Sequence, residues 1–287
     1  MELKLRNLIF IPILLFAVSA GVLFWNFYQT GDFIIKDVDL RGGTLITVNS
    51  PEPIDSKLLE TKVVERFGGG LVSGLRTSSG YGATIQVESG TRASDVIDVV
   101  RDLGVEVTDF SEETIGPALG NIFFEQVRNT LIVAFVLMSL IVFVIYRNLV
   151  SSFGIVFASL ANILTTLAFT SLLGIELSFA GFAGLLMLIA FTVDTNIVLT
   201  SKVMAHGTEG FTARYRKALV TGVTLIATIT ATMFIVLFLS TSKLLVNIAE
   251  VLVIGFVSDL VFTWILNAGL LEIYFKRKFR HLGGAQA

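Results

Sequence analysis

Apolar residues along this chain fall into long runs broken by short polar stretches. Six runs stand out, at Leu8–Trp25, Leu131–Tyr146, Phe153–Leu173, Phe179–Leu199, Val220–Leu239 and Ile248–Leu271. A helix needs about 20 apolar residues to cross the hydrocarbon of a bilayer, so each run predicts a membrane span, the second borrowing flanking residues. Trp25, Tyr28, Tyr146 and Tyr274 sit at span ends, where amphipathic rings favour the interface. Lys4 and Arg6 ahead of the first run, with Val18-Ser19-Ala20 inside it, resemble a secretory signal. The run continues to Trp25 and five more follow, so the expectation is a retained first helix.

Between the first two runs the pattern changes. Thr44–Val48 is β-branched and reads as a strand, followed by a turn at Pro51 and Pro53. Asp55 is placed to cap a helix to Phe67, with Leu59, Val63 and Phe67 on one face, stopped by Gly68-Gly69-Gly70. Strands at Leu71–Thr77 and Ala83–Val87 flank a hairpin, Ser78–Gly82. Val96, Val99, Val100 and Leu103 then recur at helical spacing, Gly104 ends the helix, and Val105–Phe110 reads as a last strand. The order strand–helix–strand–strand–helix–strand is the ferredoxin-like arrangement. The predicted fold is therefore a polytopic α-helical membrane protein of six transmembrane helices, with an extracytoplasmic α+β ferredoxin-like domain between helices 1 and 2. Its parts are a first helix (1–28), the domain (29–128), a five-helix bundle (129–275) and a basic tail (276–287).

Composition sharpens this picture. The chain of 287 residues is 54% hydrophobic and 15% charged, with a mean hydropathy of +0.81, more apolar than one soluble core requires. A net charge of -2 gives no reason to expect nucleic acid, the lack of cysteine excludes disulfides and thiolate sites, and two distant histidines, His206 and His281, exclude a histidine metal cluster. Basic residues gather before span 1, at Arg147, at Lys202, Arg214, Arg216 and Lys217, and at Lys276, Arg277, Lys278 and Arg280. The positive-inside rule puts both termini in the cytoplasm and residues 29–128 outside.

No nucleotide loop, catalytic triad or H-E-x-x-H grouping is present, and the chain is expected not to be an enzyme. Polar chemistry inside the membrane remains. A charge at mid-bilayer costs roughly 2.5–3.5 kcal/mol on insertion scales, so Asp194 in span 4 and Asp259 near the centre of span 6 need a reason to be there. A carboxyl group that binds and releases a proton as its access alternates is one use, and a hydrogen bond to a neighbouring helix is another. Thr192, Asn196 and Thr200 make a second polar stripe on span 4, and Ala180 and Gly184 give it a small-residue edge. The threonines of span 5, from Thr221 to Thr232, read as interhelical glue. No Lys or Arg lies deep in a span, so a cation for Asp194 would come from another chain.

Three motifs then carry a resemblance. Asp39-Leu40-Arg41-Gly42-Gly43-Thr44 after span 1 resembles the D-L/F-x-G-G-x signature of the SecD/SecF family of protein-export membrane subunits, in the RND superfamily. Ile115-Gly116-Pro117-Ala118-Leu119-Gly120 before span 2 is similar to its V-G-P-x-L-G element, and Val193-Asp194-Thr195-Asn196 to its V-D-x-N stretch. The single short outside domain looks like the SecF branch in its compact archaeal form. Two features depart from that branch: V-D-x-N is nearer to SecD, and Ser201-Lys202 stands where an acidic–Arg pair is usual. The resemblance implies a subunit that pairs with SecD beside a SecYE-type channel, contacts translocating polypeptide and lipid, and uses the proton-motive force. No cofactor is implied beyond the ion gradient, of protons or of Na+. It assigns the membrane aspartate to Asp194 and gives Asp39, Gly42, Gly43, Gly116 and Pro117 structural roles. Asp259 belongs to none of its motifs. Two alternatives stay open, an RND-like exporter half for lipids or small molecules and a structural subunit that only stabilises SecD.

Overall fold

The computed structural model describes residues 8–77, 80–205, 210–240 and 242–283. Lys4, Arg6, His206 and the Ser78-Ser79 tip of the predicted hairpin lie outside the described residues. The chain forms two compact units. One comprises residues 36–129 with 239–243, and the other holds the remaining membrane helices.

In the first unit a one-turn helix, α2 (Val38–Arg41), leads into β1 (Gly43–Ser50), then α3 (Ser56–Phe67), β2 (Leu71–Thr77), β3 (Gly80–Val87), α4 (Ala93–Asp102) and β4 (Asp109–Ile115). The sheet is antiparallel in the order β2-β3-β1-β4, which is the ferredoxin-like topology. Asp55 caps α3 by accepting from the N–H groups of Lys57 and Leu58 at 3.1 and 3.2 Å. Ile46 and Val48 of β1 and Ile85 and Val87 of β3 pack with Leu59 and Val63 of α3 and Val96, Val99 and Val100 of α4 into one core.

The last strand differs from the expected Val105–Phe110. Val105 and Val107 pack against the core without a ladder, and the strand runs seven residues from Asp109. It is an edge strand whose exposed charges, Glu112 and Glu113, give no apolar alternation. Charge on an edge is a defence against pairing with another chain.

The second unit contains six helical spans, long and apolar enough to cross a membrane, among the described residues. They are α1 (Phe10–Thr30), α5 (Pro117–Tyr146), α6 (Leu149–Leu172), α7 (Phe179–Met204), α8 (Phe211–Leu239), and a sixth formed by α9 (Lys243–Val261), a π-helical turn (Phe262–Asn267) and α10 (Ala268–Gly283). Residues 117–129 of α5 belong to the first unit. The apolar windows of α6, α7 and the sixth span are 61%, 56% and 44% buried, against 17%, 6% and 11% for α1, α5 and α8. The first three are therefore the centre of the bundle, and the others lie largely exposed at its edge.

Small residues set the spacing. A Cβ added at Gly184 would sit 3.5 Å from Val251 of α9, and one at Gly255 would meet the Leu188 side chain at 2.4 Å, so α7 and α9 approach closely. Phe16 of α1 packs edge-on to Phe157 of α6 at 5.6 Å. Trp25 and Tyr28 are exposed, as interface residues would be. Tyr146 and Tyr274 instead bond within the bundle, Tyr146 donating to the carbonyl of Ile197 at 3.1 Å and Tyr274 accepting from Asn148 at 2.6 Å. Thr224, Thr228 and Thr232 donate to carbonyls four residues back on α8 itself, so their hydroxyls do not join helices of this chain.

Candidate functional site: a polar cluster inside the bundle

Asp259, at the end of α9, is 1% exposed. Its carboxyl oxygens accept from Thr195 of α7 at 2.8 Å and from Thr263, one turn on, at 2.7 Å. Asn196 donates to the Thr263 hydroxyl at 2.8 Å and to the carbonyl of Thr192 at 2.7 Å. Asn267, at the end of the π-helical turn, donates to the Asn196 amide oxygen at 2.6 Å. A second arm runs through α6. Asn162 donates to the Thr192 hydroxyl at 2.8 Å and accepts from Ser258, which lies 3.4 Å from Thr166.

The cluster is thus built from uncharged hydroxyls and amides around one carboxyl group. A buried carboxylate is tolerable only if it is hydrogen-bonded; here Thr263 donates to one oxygen, and the single proton of Thr195 is shared between the other and the Thr192 carbonyl at 2.9 Å. Hydroxyls also rotate, so the same two side chains can serve a protonated carboxyl.

The candidates from the sequence separate on this evidence of geometry. Thr192, Asn196 and Asp259 meet in the cluster, whereas Asp194 lies exposed on the outer surface of α7. Residues two apart on a helix point in different directions, so Asp194 cannot share a face with Thr192 or Asn196. Lys202 donates to Thr221 of α8 at 2.6 Å. Asn162, Thr195, Ser258, Thr263 and Asn267 are members that the sequence analysis does not reach. One signal was available for them: Asp259, Thr263 and Asn267 recur every four residues. Among the described residues no three His, Asp or Glu side chains gather as a metal ion would need.

The motif residues form a different contact, inside the first unit. Asp39 is in the first turn of α2, which Gly42 closes with φ 80° and ψ 158°. A Cβ on Gly42 would stand 2.5 Å from the Cα of Pro117, and one on Gly120 would stand 2.5 Å from the N of Gly42. The two glycine motifs, more than 70 residues apart, pack backbone to backbone. Asp37, outside both motifs, is buried there, accepting from Gln86 at 2.9 Å and paired with Lys243 at 3.0 Å.

A membrane protein of six helical spans with one ferredoxin-like unit after its first helix is the class defined by these features. Residues 95–277 match the family model described as protein export membrane protein SecD/SecF, C-terminal. Relatives named protein-export membrane protein SecF agree. The one from Pyrococcus furiosus is 32% identical over 96% of this chain and 93% of its own length. That from Methanocaldococcus jannaschii is 34% identical over 84% and 87%. The crystal structure of SecDF, a translocon-associated membrane protein from Thermus thermophilus, superposes with a TM-score of 0.75 at 19% identity. It covers 96% of this chain, which spans 39% of that longer one. The chain belongs to the SecD/SecF family of protein-export membrane proteins.

Proposed function

We propose that this chain is a SecF-type auxiliary subunit of the Sec machinery, assisting translocation of proteins across the cytoplasmic membrane together with a SecD partner. In this reading both termini are cytoplasmic and residues 29–128 face outside, where they can contact emerging polypeptide. The proton-motive force drives it, and the chain itself catalyses no covalent step and holds no cofactor. The observation that carries the ion-coupling part is Asp259, a carboxyl group buried at membrane depth and bonded by the hydroxyls of Thr195 and Thr263. Intramembrane ionisable groups are expensive and mark ion pathways.

Asp194 supports the partner. It is exposed on a span, and a carboxyl group at that depth calls for a neighbouring chain rather than lipid. The two aspartates thus take separate parts, Asp259 as the proton-responsive group of this chain and Asp194 as a group completed by SecD.

The test is Asp259→Asn and Asp194→Asn, each in the native membrane, following delivery of a secreted protein at unchanged levels of both subunits. Loss of export in Asp259→Asn supports coupling through the cluster. Normal export in both variants refutes it and leaves the chain a structural subunit that stabilises its partner.

A further inference from the structure

We infer that Asn267 is a positioning residue for the carboxyl chemistry of Asp259, and that the π-helical turn exists to bring it there. The inference rests on the reading of Asp259 as proton-responsive. Three side-chain bonds run in one direction, from Asn267 to Asn196, from Asn196 to Thr263 and from Thr263 to Asp259, at 2.6, 2.8 and 2.7 Å. An amide can present either end, and its partners decide which. Asn267 donates to the oxygen of Asn196 and the Thr192 carbonyl accepts from its NH2, so the NH2 faces Thr263. Thr263, already accepting, is left to direct its own proton at Asp259. Asn267 therefore holds, together with the Thr192 carbonyl, the polarity of a hydroxyl two links away without touching the carboxyl group.

The backbone explains how this alignment is possible. In an α-helix each four-residue step overshoots a full turn by about 40°, so position 267 would drift about 80° from position 259. Here the N–H of Ala268 reaches back to the carbonyl of Thr263, five residues earlier. The wider turn winds less per residue and holds 259, 263 and 267 towards α7. It leaves the Trp264 carbonyl to an outside donor, and the Tyr215 hydroxyl of α8 supplies one at 2.9 Å. The turn also buries the Asn267 amide oxygen without a partner among the described residues, pressed against Gly154 of α6. A plain helix would incur none of these costs.

Of the charged groups on the helices around this chain of bonds, Arg214 of α8 donates to the carbonyls of Val203 and Ala205. α1 and α6 carry none. On α7, Asp194 is exposed and Lys202 is held by Thr221. On the sixth span, Glu250 lies beside Asn247 and Glu272 pairs with Lys276.

The experiment uses the full chain with its partner in native membranes and reads the infrared C=O band of the Asp259 carboxyl, assigned by its loss in Asp259→Asn. Asn267→Ala is expected to shift that band and to slow export roughly fivefold, the factor one net hydrogen bond represents. In an Asn196→Ala background the same change is expected to add nothing, because the chain of bonds is already cut. A packing role for Asn267 would instead add its full effect. Should Asn267→Ala not accumulate, the near-isosteric Thr263→Val removes the last link and must shift the band by itself. An unmoved band in either variant, or additive effects in the double variant, overturns the inference. If Asp259→Asn itself exports normally, the proton reading of the site fails; if it blocks export while the band ignores Asn267, only the positioning role fails.

Discussion

Gly42→Ala is the sharpest test of why two distant glycine motifs exist in this chain. Gly42 has φ 80° and ψ 158°, a region used almost only by glycine, where another residue costs about 1–3 kcal/mol. Its new methyl would also stand 2.5 Å from the Cα and 2.7 Å from the N of Pro117, and 3.0 Å from the carbonyl carbon of Gly116. These are backbone atoms that cannot rotate away, and overpacking of that kind costs about 1–3 kcal/mol more. The sum, about 2–6 kcal/mol, is a large part of the 5–15 kcal/mol that holds an ordinary domain folded. For a unit of this size even the lower figure lowers the melting point by at least ~8 °C. The assay is thermal unfolding of the full chain in detergent, followed by protease resistance of the ferredoxin-like unit. Gly120→Ala meets the N of Gly42 at 2.5 Å but sits in a helix, so it incurs only the packing cost and falls between. Gly116→Ala has nothing within 4 Å and should melt like the parent. If Gly42→Ala melts within 2 °C of the parent, or if Gly116→Ala is as damaging, the close-approach reasoning is wrong.

Further outcomes follow from the same structure. Lys243→Met leaves Asp37, 5% exposed, without its cation; Lys243 is partly exposed, so the cost is about 2 kcal/mol, below that of a fully buried pair, read as a lower melting point of the ferredoxin-like unit. Leu59→Ala empties a fully buried position in the core and should cost about 2–5 kcal/mol in the same measurement. Gly222→Ala would drive a methyl to 1.9 Å from the rigid ring of Trp264 and should lower the melting point of the membrane unit, whereas Gly21→Ala, with open space around it, should not. The bond and charge of Lys62 hold the Glu65 carboxyl below its ordinary range, so Lys62→Ala should return its NMR titration upward. A depressed carboxyl stabilises above its unfolded value and loses that contribution as pH falls through the folded one. Glu65 is fully exposed, so the melting point should scarcely follow its titration.

The spans and most of the domain were legible because each rests on a local signal. Charge-free runs mark the helices, and Asp55, Gly68 and the alternation of Ile46 and Val48 mark the domain elements. The last strand was not, since its pairing is fixed by the backbone of β1 while its side chains face solvent and follow no apolar pattern. The π-helical turn was not legible either. It is a tertiary compromise among Tyr215, Trp264, Gly222 and Asn267, and nothing within residues 262–267 breaks a helix. The prominence of Asp194 over Asp259 in the sequence came from the motif around it, which reports family and not orientation. Helices that are apolar all round give no moment to say which side is inward. The spacing nevertheless held the answer for α7: Thr192 and Asn196 share a face that Asp194 cannot join.

That separation bears on how the chain could work. In the proposed reading the Asp259 carboxyl changes its protonation within this chain, because the donors bonded to it come from α7 and the sixth span. Asp194, exposed on the outer face of α7, is in the proposed reading the group that the partner chain covers. The two groups stand on adjacent helices that touch at Gly184 and Gly255, and Thr195, next in sequence to Asp194, is bonded to Asp259. A change in the Asp259 carboxyl therefore acts on the one turn of α7 that also carries Asp194. By this route the buried cluster is joined to the exposed face of α7 through a single helix turn, without a conducting path between the two aspartates.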